Sequence, residues 1–377
     1  MKRRLVVVVT VSDTINCILN DVMIFLAEEF ELAIICSDSE NVKNVKGVPC
    51  FSVPMRRGIS PFFDLYSMLK MFFVLRRLNP DIVHSYTPKA GLVTMVSSFF
   101  SGVKIRIHTF TGLVFPSSTG FKKTVLNLVD RVIFKFSSVC ISESKGVRSE
   151  LIEGGVIRGD DESPIIGNGN IAGVDTEFFD PSAVKVCDKM TGALSFISES
   201  ESFVFCFVGR FNKDKGIKEL VESFLSLSEH CHLVMVGDVD SSSPPDDETL
   251  AEISANPRIH DVGFQNDIRP YLMISDVLVL PSYREGFPNV VLQALALERP
   301  VLSTNVSGAN EVVIPGFTGW VVPIGDGKKI ASCMAEITKV SSTELQGMGL
   351  AGRTLVCERF EKRDYYLHLR DFYCSFT

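Results

Sequence analysis

From residue 5 the chain alternates short apolar runs with longer stretches of helical period. Runs at 5–10, 32–36, 81–84 and 104–109 read as strands, and the patterns over 14–29, 61–78 and 90–100 repeat apolar positions at the three-to-four-residue spacing of amphipathic helices. After Gly167-Asn-Gly169 the rhythm restarts, with strands near 203, 232, 277, 300 and 319. Alternating β and α predicts parallel sheets wrapped by helices, so the chain reads as α/β, two doubly wound Rossmann-like domains facing each other. Ligands are expected outside the carboxyl ends of the strands. The first domain is placed at 1–168 and the second at 169–357. Residues 159–202, acidic and rich in Ser, Gly and Pro, read as a linker with a surface excursion, and Asp240-Ser-Ser-Ser-Pro-Pro-Asp-Asp247 as a second polar loop.

A length of 377 residues suits two domains that each bury a core. Hydrophobic residues make up 46% of the chain and mean hydropathy is +0.22, yet no apolar run approaches the roughly 18 residues of a membrane span. Met1-Lys-Arg-Arg-Leu-Val-Val-Val-Val-Thr is apolar only briefly, Asp13 interrupts the next stretch and no small-residue cleavage site appears, so it reads as a first strand and not as a secretion signal. The ten cysteines show no C-x-x-C pair, which suggests neither a disulfide framework nor a zinc site and fits a reducing cytoplasm.

The net charge of −7 conceals a division. Residues 1–148 hold 19 Lys plus Arg against 11 Asp plus Glu, or +8, which leaves −15 for the remainder. No nucleic-acid motif accompanies the basic part, so nucleic acid is not an expected partner. Segments 56–77 and 121–136 mix Lys and Arg with aromatic and aliphatic residues, a composition suited to peripheral contact with an anionic membrane. The same segments also read as core-facing helices with their cations on the solvated side.

Two motifs carry chemistry. In Pro281-Ser-Tyr-Arg-Glu-Gly-Phe-Pro-Asn-Val-Val-Leu-Gln293 a buried strand, 277–280, runs through a loop into a helix whose first turn is placed at Pro288. Backbone N–H groups at such a helix start lack intrahelical acceptors and bind phosphate readily. Glu285, just ahead, is suited to accept hydrogen bonds from sugar hydroxyls. In the second motif the apolar run 204–208 enters Gly209-Arg-Phe-Asn-Lys-Asp-Lys-Gly216, where Arg210 and Lys215 flank a turn whose glycines permit close backbone approach. Two fixed cations at a strand end suit a diphosphate that gains charge as it leaves.

Together these segments resemble the retaining GT-B glycosyltransferases of the family 4 type, especially those that build capsules and surface polysaccharides. Asp81-Ile-Val-His-Ser-Tyr-Thr-Pro-Lys-Ala-Gly91, Gly169-Asn-Ile-Ala-Gly-Val-Asp-Thr-Glu-Phe178, Val236-Gly-Asp238 and Gly263-Phe-Gln-Asn-Asp-Ile-Arg-Pro-Tyr271 extend the likeness over most of the chain. The resemblance implies a GT-B fold with a C-terminal helix, about 358–377, returning to an acceptor-binding N-terminal domain, and a C-terminal domain that holds a nucleotide-sugar. It implies catalytic roles for Glu285, Arg210 and Lys215, and donor contacts at Gly209, Gly286, Phe287, Asn289, Val290 and Gln293. The expected donor is a UDP-sugar carrying a hexose or N-acetylhexosamine. The expected acceptor is a lipid-linked glycan of capsule or O-antigen type, met by a cytoplasmic protein at the inner face of the cell membrane. No cofactor and no metal are expected, since Asp238-Val-Asp240 has the letters of a metal motif in a loop that similar enzymes do not use for one.

The chain departs from the pattern at three places. Gln293 stands where relatives carry a second Glu toward the ribose; an amide still accepts and donates there. The loop 11–16 after the first strand lacks glycines. Thr111 in His108-Thr-Phe-Thr-Gly112 stands where many relatives have a histidine. His84, Lys89, Thr111 and His108 remain candidates for acceptor-side contacts, with strand-end or core packing as the other reading of each. Two rival functions stay open: a nucleotide-sugar epimerase on the same scaffold, and a noncatalytic sugar-nucleotide-binding subunit.

Overall fold

The computed structural model describes residues 2–56, 58, 60–185 and 202–376. The chain divides into two compact units, one running through Ala172 and taking up again from Arg363, the other Gly173–Lys362. Residues 186–201 of the predicted linker lie outside the described residues.

In the first unit the strands are β1 (Arg4–Val8), β2 (Glu31–Cys36), β3 (Cys50–Ser52), β4 (Ile82–Tyr86), β5 (Ile105–Phe110) and β6 (Val139–Ser142), all parallel in the order β3-β2-β1-β4-β5-β6. Leu5 of β1 stands opposite Leu32 on one side and Ile82 on the other. The chief helices are α1 (Asn20–Glu29), α2 (Pro61–Leu78), α3 (Pro88–Ser101), α4 (Gly120–Phe136) and α5 (Lys145–Glu153). Local chemistry sets their ends. Both α2 and α3 open on proline, whose missing N–H costs nothing in a first turn, and close on left-handed residues, Asn79 (φ 46) and Gly102 (φ 84).

The second unit repeats the plan with β7 (Phe203–Val208), β8 (Cys231–Val236), β9 (Ile259–Asp261), β10 (Val277–Leu280), β11 (Val301–Thr304) and β12 (Gly319–Val322), ordered β12-β11-β10-β7-β8-β9. Its helices are α6 (Ile217–Leu225), α7 (Asp247–Ala255), α8 (Arg269–Met273), α9 (Asn289–Ala296), α10 (Gly327–Ile337) and α11 (Ser342–Arg359). Asp326 and Ser341 cap α10 and α11 through their side-chain oxygens. The strands are buried on both faces because helices cover both, giving two cores per sheet.

The last helix, α12 (Lys362–Cys374), belongs to the first unit, where Tyr365, Tyr366, Leu369 and Tyr373 pack with β1 and α1. Burying a side chain such as Leu369 contributes roughly 1.5–3 kcal/mol, enough for four of them to hold a helix in place. Three strands escaped the pattern reading. β3 and β9 are three-residue edges, and β6 is four residues behind a pair of serines, too short for a period to show. Pro288 is the residue before α9 and not within its first turn (φ −72, ψ 110).

Candidate active site

Strand order in the second unit reverses between β7 and β10, neighbours whose chains continue to opposite halves of the sheet. The loops leaving two such strands diverge and open a crevice at their carboxyl ends. Both motifs lie there, 209–216 after β7 and 281–288 after β10. Gly216 is left-handed (φ 66) and a Cβ on it would collide with the Pro281 carbonyl oxygen, so the two turns meet through glycine.

Side chains close the junction. Lys215 Nζ donates to Glu285 Oε1 at 2.6 Å, and Ser282 Oγ donates to the same oxygen at 2.7 Å. Arg284 Nη2 pairs with Asp214 Oδ2 at 2.6 Å, and the Tyr283 amide donates to the Asp214 carbonyl at 2.8 Å. Tyr283 Oη donates to Glu219 at 2.6 Å, a bond that pushes the phenol up to about 12. A third loop joins after β11. Thr304 Oγ1 donates to the Ser282 carbonyl at 2.6 Å, and left-handed Gly308 (φ 74) lies against Gly286 and Phe287, where a Cβ would stand 2.6 Å from the Gly286 oxygen.

Arg210 is arranged differently. Its side chain is 61% exposed and Nη1 donates to Asp240 Oδ2 at 2.7 Å. The same oxygen accepts from Asn212 Nδ2 at 3.3 Å, while Asp240 Oδ1 accepts from the Ser242 hydroxyl and amide. The Ser242 hydroxyl foremost, then Asn212 and Arg210, holds the Asp240 carboxyl down to about 2. Asn212 Oδ1 in turn accepts from the Lys215 amide at 3.0 Å, so one chain of bonds runs from Asp240 through Asn212 to Lys215 and Glu285. Asp238 accepts from the Phe264 amide. The two aspartates of Asp238-Val-Asp240 thus brace loops, and among the described residues no three or more His, Cys, Asp or Glu converge as metal ligands.

Beyond Glu285, α9 points the positive end of its dipole at the same region. Asn289 and Val290 form its start, Gln293 follows one turn on, half-buried, and Phe287 packs on Phe360 with ring centroids 5.3 Å apart. One polypeptide unit therefore gathers two cations, a carboxylate and a helix start around a strand-order reversal. Such a set can hold an anionic leaving group beside a hydroxylated one.

Residues 202–339 match the family model described as glycosyl transferases group 1. Over 371 residues, 98% of this chain and 96% of the relative, the sequence is 31% identical to the capsular polysaccharide biosynthesis glycosyltransferase CapM of Staphylococcus aureus. The chain is a group 1 glycosyltransferase of the family 4 type. The transferase is also 27% identical over 321 residues, 82% of this chain and 81% of the relative, to the UDP-Gal:alpha-D-GlcNAc-diphosphoundecaprenol alpha-1,3-galactosyltransferase of Escherichia coli. Its GT-B fold agrees with Anabaena Alr3699/HepE, solved in complex with UDP and glucose, at a TM-score of 0.80 and 17% identity, covering the whole of both chains.

The remaining sequence-named residues of the transferase lie in the first unit. His84 is fully buried in β4, with Nδ1 bonded to Tyr373 Oη at 2.5 Å and Nε2 to Thr109 Oγ1 at 2.7 Å. His108 is buried in β5, bonded to Ser85 Oγ at 2.8 Å beneath Gly91, where a Cβ would strike the ring. Burial lowers both imidazoles, His108 to about 3 and His84 well below the usual range. Both rings are thus buried and hydrogen-bonded within the first unit. Lys89 Nζ is 2.7 Å from both oxygens of Asp64, and Thr111 is half-buried just past β5. In the glycine-free loop 11–16 a helical run starts at once, with Ser12 bonded to Asp38 through amide and hydroxyl.

Sequence reasoning did not find Ser282, Asn212, Asp214 or Thr304, and read Asp240 only as the start of a polar loop and half of an unused metal motif. Ser282 had a signal, its spacing of three from Glu285. Asn212 had one too, its spacing of three from Lys215, whose amide it caps. The contacts that tie Asn212 to Asp240, Asp214 to Arg284 and Thr304 to Ser282 reach across 22 to 70 positions of chain, where no local pattern reports them.

Proposed function

We propose that the chain moves a hexose or N-acetylhexosamine from a UDP-sugar, with retention at the anomeric carbon, to a lipid-linked glycan of surface polysaccharide synthesis at the inner face of the cell membrane. The observation that carries this reading is the Lys215–Glu285 contact at 2.6 Å, which joins a cationic turn and a carboxylate turn at the strand-order reversal. The Staphylococcus and Escherichia relatives support the polysaccharide context, the UDP-linked donor and the diphosphoundecaprenol acceptor.

Arg210 and Lys215 neutralise the leaving diphosphate, and Gly209 and Gly216 let the backbone approach it. Lys215 has three donors, so it holds Glu285 and a phosphate oxygen together. Glu285 accepts hydrogen bonds from hydroxyls of the transferred sugar. Gly286, Phe287, Asn289 and Val290 supply backbone amides to sugar and phosphate oxygens, and Gln293 bonds the ribose. The departing diphosphate takes the proton of the attacking acceptor hydroxyl on the same face, so the barrier falls chiefly by stabilising charge on that diphosphate. Neither buried histidine is needed as a base.

The test is a screen of nucleotide-sugars for thermal stabilisation, followed by incubation of the stabilising donor with extracted lipid-linked acceptors and determination of the product's anomeric configuration. A UDP-sugar that stabilises and yields a retained glycosidic bond is the expected result. Stabilisation without transfer would make the chain a binding subunit, and an epimerised nucleotide-sugar would make it an epimerase.

A further inference from the structure

α2, α3 and α4 pack side by side on one face of the first sheet, their inner sides sharing one core through Met71, Leu75, Val93 and Ile133. Their outer sides are unusual in two respects. Along α2 an apolar stripe of Phe62, Leu65, Tyr66, Leu69 and Phe73 faces solvent, with Phe62 93% and Phe73 68% exposed. Phe99 and Phe100 extend it on α3, and Phe121, 82% exposed, does so with Leu128 on α4. Nine of the nineteen large hydrophobics that are exposed among the described residues thus lie on three adjacent helices, far more clustering than scattered surface residues show.

Charge is the second respect. The three helices hold only two acidic residues, Asp64 and Asp130, and both are buried, Asp64 against Lys89. Seven cations stand exposed among the aromatics: Lys70, Arg76 and Arg77 on α2, with Lys122, Lys123, Arg131 and Lys135 on α4. Arg56 lies over the Phe63 ring at 4.2 Å, adding an eighth beside the start of α2. A wall of aromatic and aliphatic side chains, fringed by cations and with no exposed carboxylate on its three helices, needs a partner that is both anionic and apolar.

We infer that the outer face of α2, α3 and α4 docks on an anionic lipid bilayer, with the cations at the headgroups and Phe62, Phe73 and Phe121 entering the acyl boundary. A nucleic acid would answer the cations but leave Leu65 and Leu69 in water. A second copy of the same face would set eight cations against eight. A bilayer satisfies both features, and on α2 alone the stripe from Phe62 to Phe73 lies about 17 Å along it. The inference deepens the lipid-linked acceptor reading by naming the surface that brings the chain to that acceptor.

Vesicle sedimentation decides it. Wild type, R76E/R77E/K122E/K123E and F62S/L69S/F73S are mixed with phosphatidylcholine vesicles with and without phosphatidylglycerol, over a range of salt. All seven positions are exposed, and circular dichroism with UDP-dependent thermal stabilisation confirms that each variant is folded with its donor site intact. Wild type is expected to bind the phosphatidylglycerol vesicles at low salt and leave them as screening rises. The charge-reversed variant should bind at least about 100-fold more weakly, and the serine variant several-fold more weakly. Equal binding by all three proteins, no binding at low salt, preferential retention on duplex DNA, or a dimer abolished by the same substitutions would each overturn the assignment. A lost UDP response in wild type would count against the donor reading and not against this surface.

Discussion

Arg210 and Lys215 look equivalent as two cations flanking a turn, but their surroundings separate them, and replacing each by alanine should show it. Lys215 is 22% exposed and donates to Glu285, which is only 11% exposed and among the described residues keeps a single other partner, the Ser282 hydroxyl. Removing the amine leaves a mostly dry carboxylate underpaired, which should cost about 1–3 kcal/mol of stability. In a unit of this size that is a fall of several degrees in midpoint, at roughly 2–4 °C per kcal/mol. Arg210 is well solvated, and Asp240 retains Ser242 and Asn212 without it, so Arg210→Ala should change stability by less than about 1 kcal/mol.

Turnover adds a second axis. Loss of one preorganised cation from a leaving diphosphate should lower kcat by about 100-fold, or about 2.7 kcal/mol, in Arg210→Ala. Lys215→Ala loses that and also frees Glu285 to move, so its kcat should fall further, on the order of 1,000-fold. Steady-state transfer from the stabilising UDP-sugar and urea unfolding of both variants give the two axes. Wild-type turnover in either folded variant refutes the charge-stabilisation argument, and equal stability loss in both refutes the structural distinction.

Glu285→Gln should lose most activity while Gln293→Glu stays active, because only the former sits in the Lys215–Ser282 contact; equal rates in a transfer assay would remove Glu285 from its role. Asp240→Asn should lower kcat about tenfold by loosening Arg210 and Asn212, and should do little in an Arg210→Ala background, a non-additivity that a double-mutant cycle measures. Asp130, buried in α4, has its carboxyl pushed up to about 7 by burial, so between about pH 4 and 7 the native state keeps a proton the unfolded chain has released. Its contribution to stability is therefore full below about pH 4 and lost as pH rises through about 7; Asp130→Asn should stabilise the protein at pH 8 in urea unfolding, and an unchanged midpoint there would refute the shift.

How far the fold could be read from the chain depends on the range of the forces involved. Helix 61–78 was legible to the residue because both ends are local chemistry, Pro61 at the start and left-handed Asn79 at the close. Strands β7 and β10 were legible because unbroken apolar runs end in glycine or proline turns. The meeting of those turns was not, since Lys215 and Glu285 are 70 positions apart and only the sheet order brings them within 2.6 Å.

The histidines show the limit most sharply. His84 and His108 lie on parallel strands covered by helices on both faces, so apolar neighbours in sequence say only that the strand is buried, not what each ring meets. His84 is tied to Tyr373, a residue 289 positions later that arrives with α12. For His108 the decisive residue is Gly91 on α3, where any side chain would occupy the space of the imidazole. The glycine that reads as a weak point in a helix pattern is therefore what lets a histidine be core, and Gly91→Ala should disturb packing in the first unit while leaving UDP binding in the second unchanged.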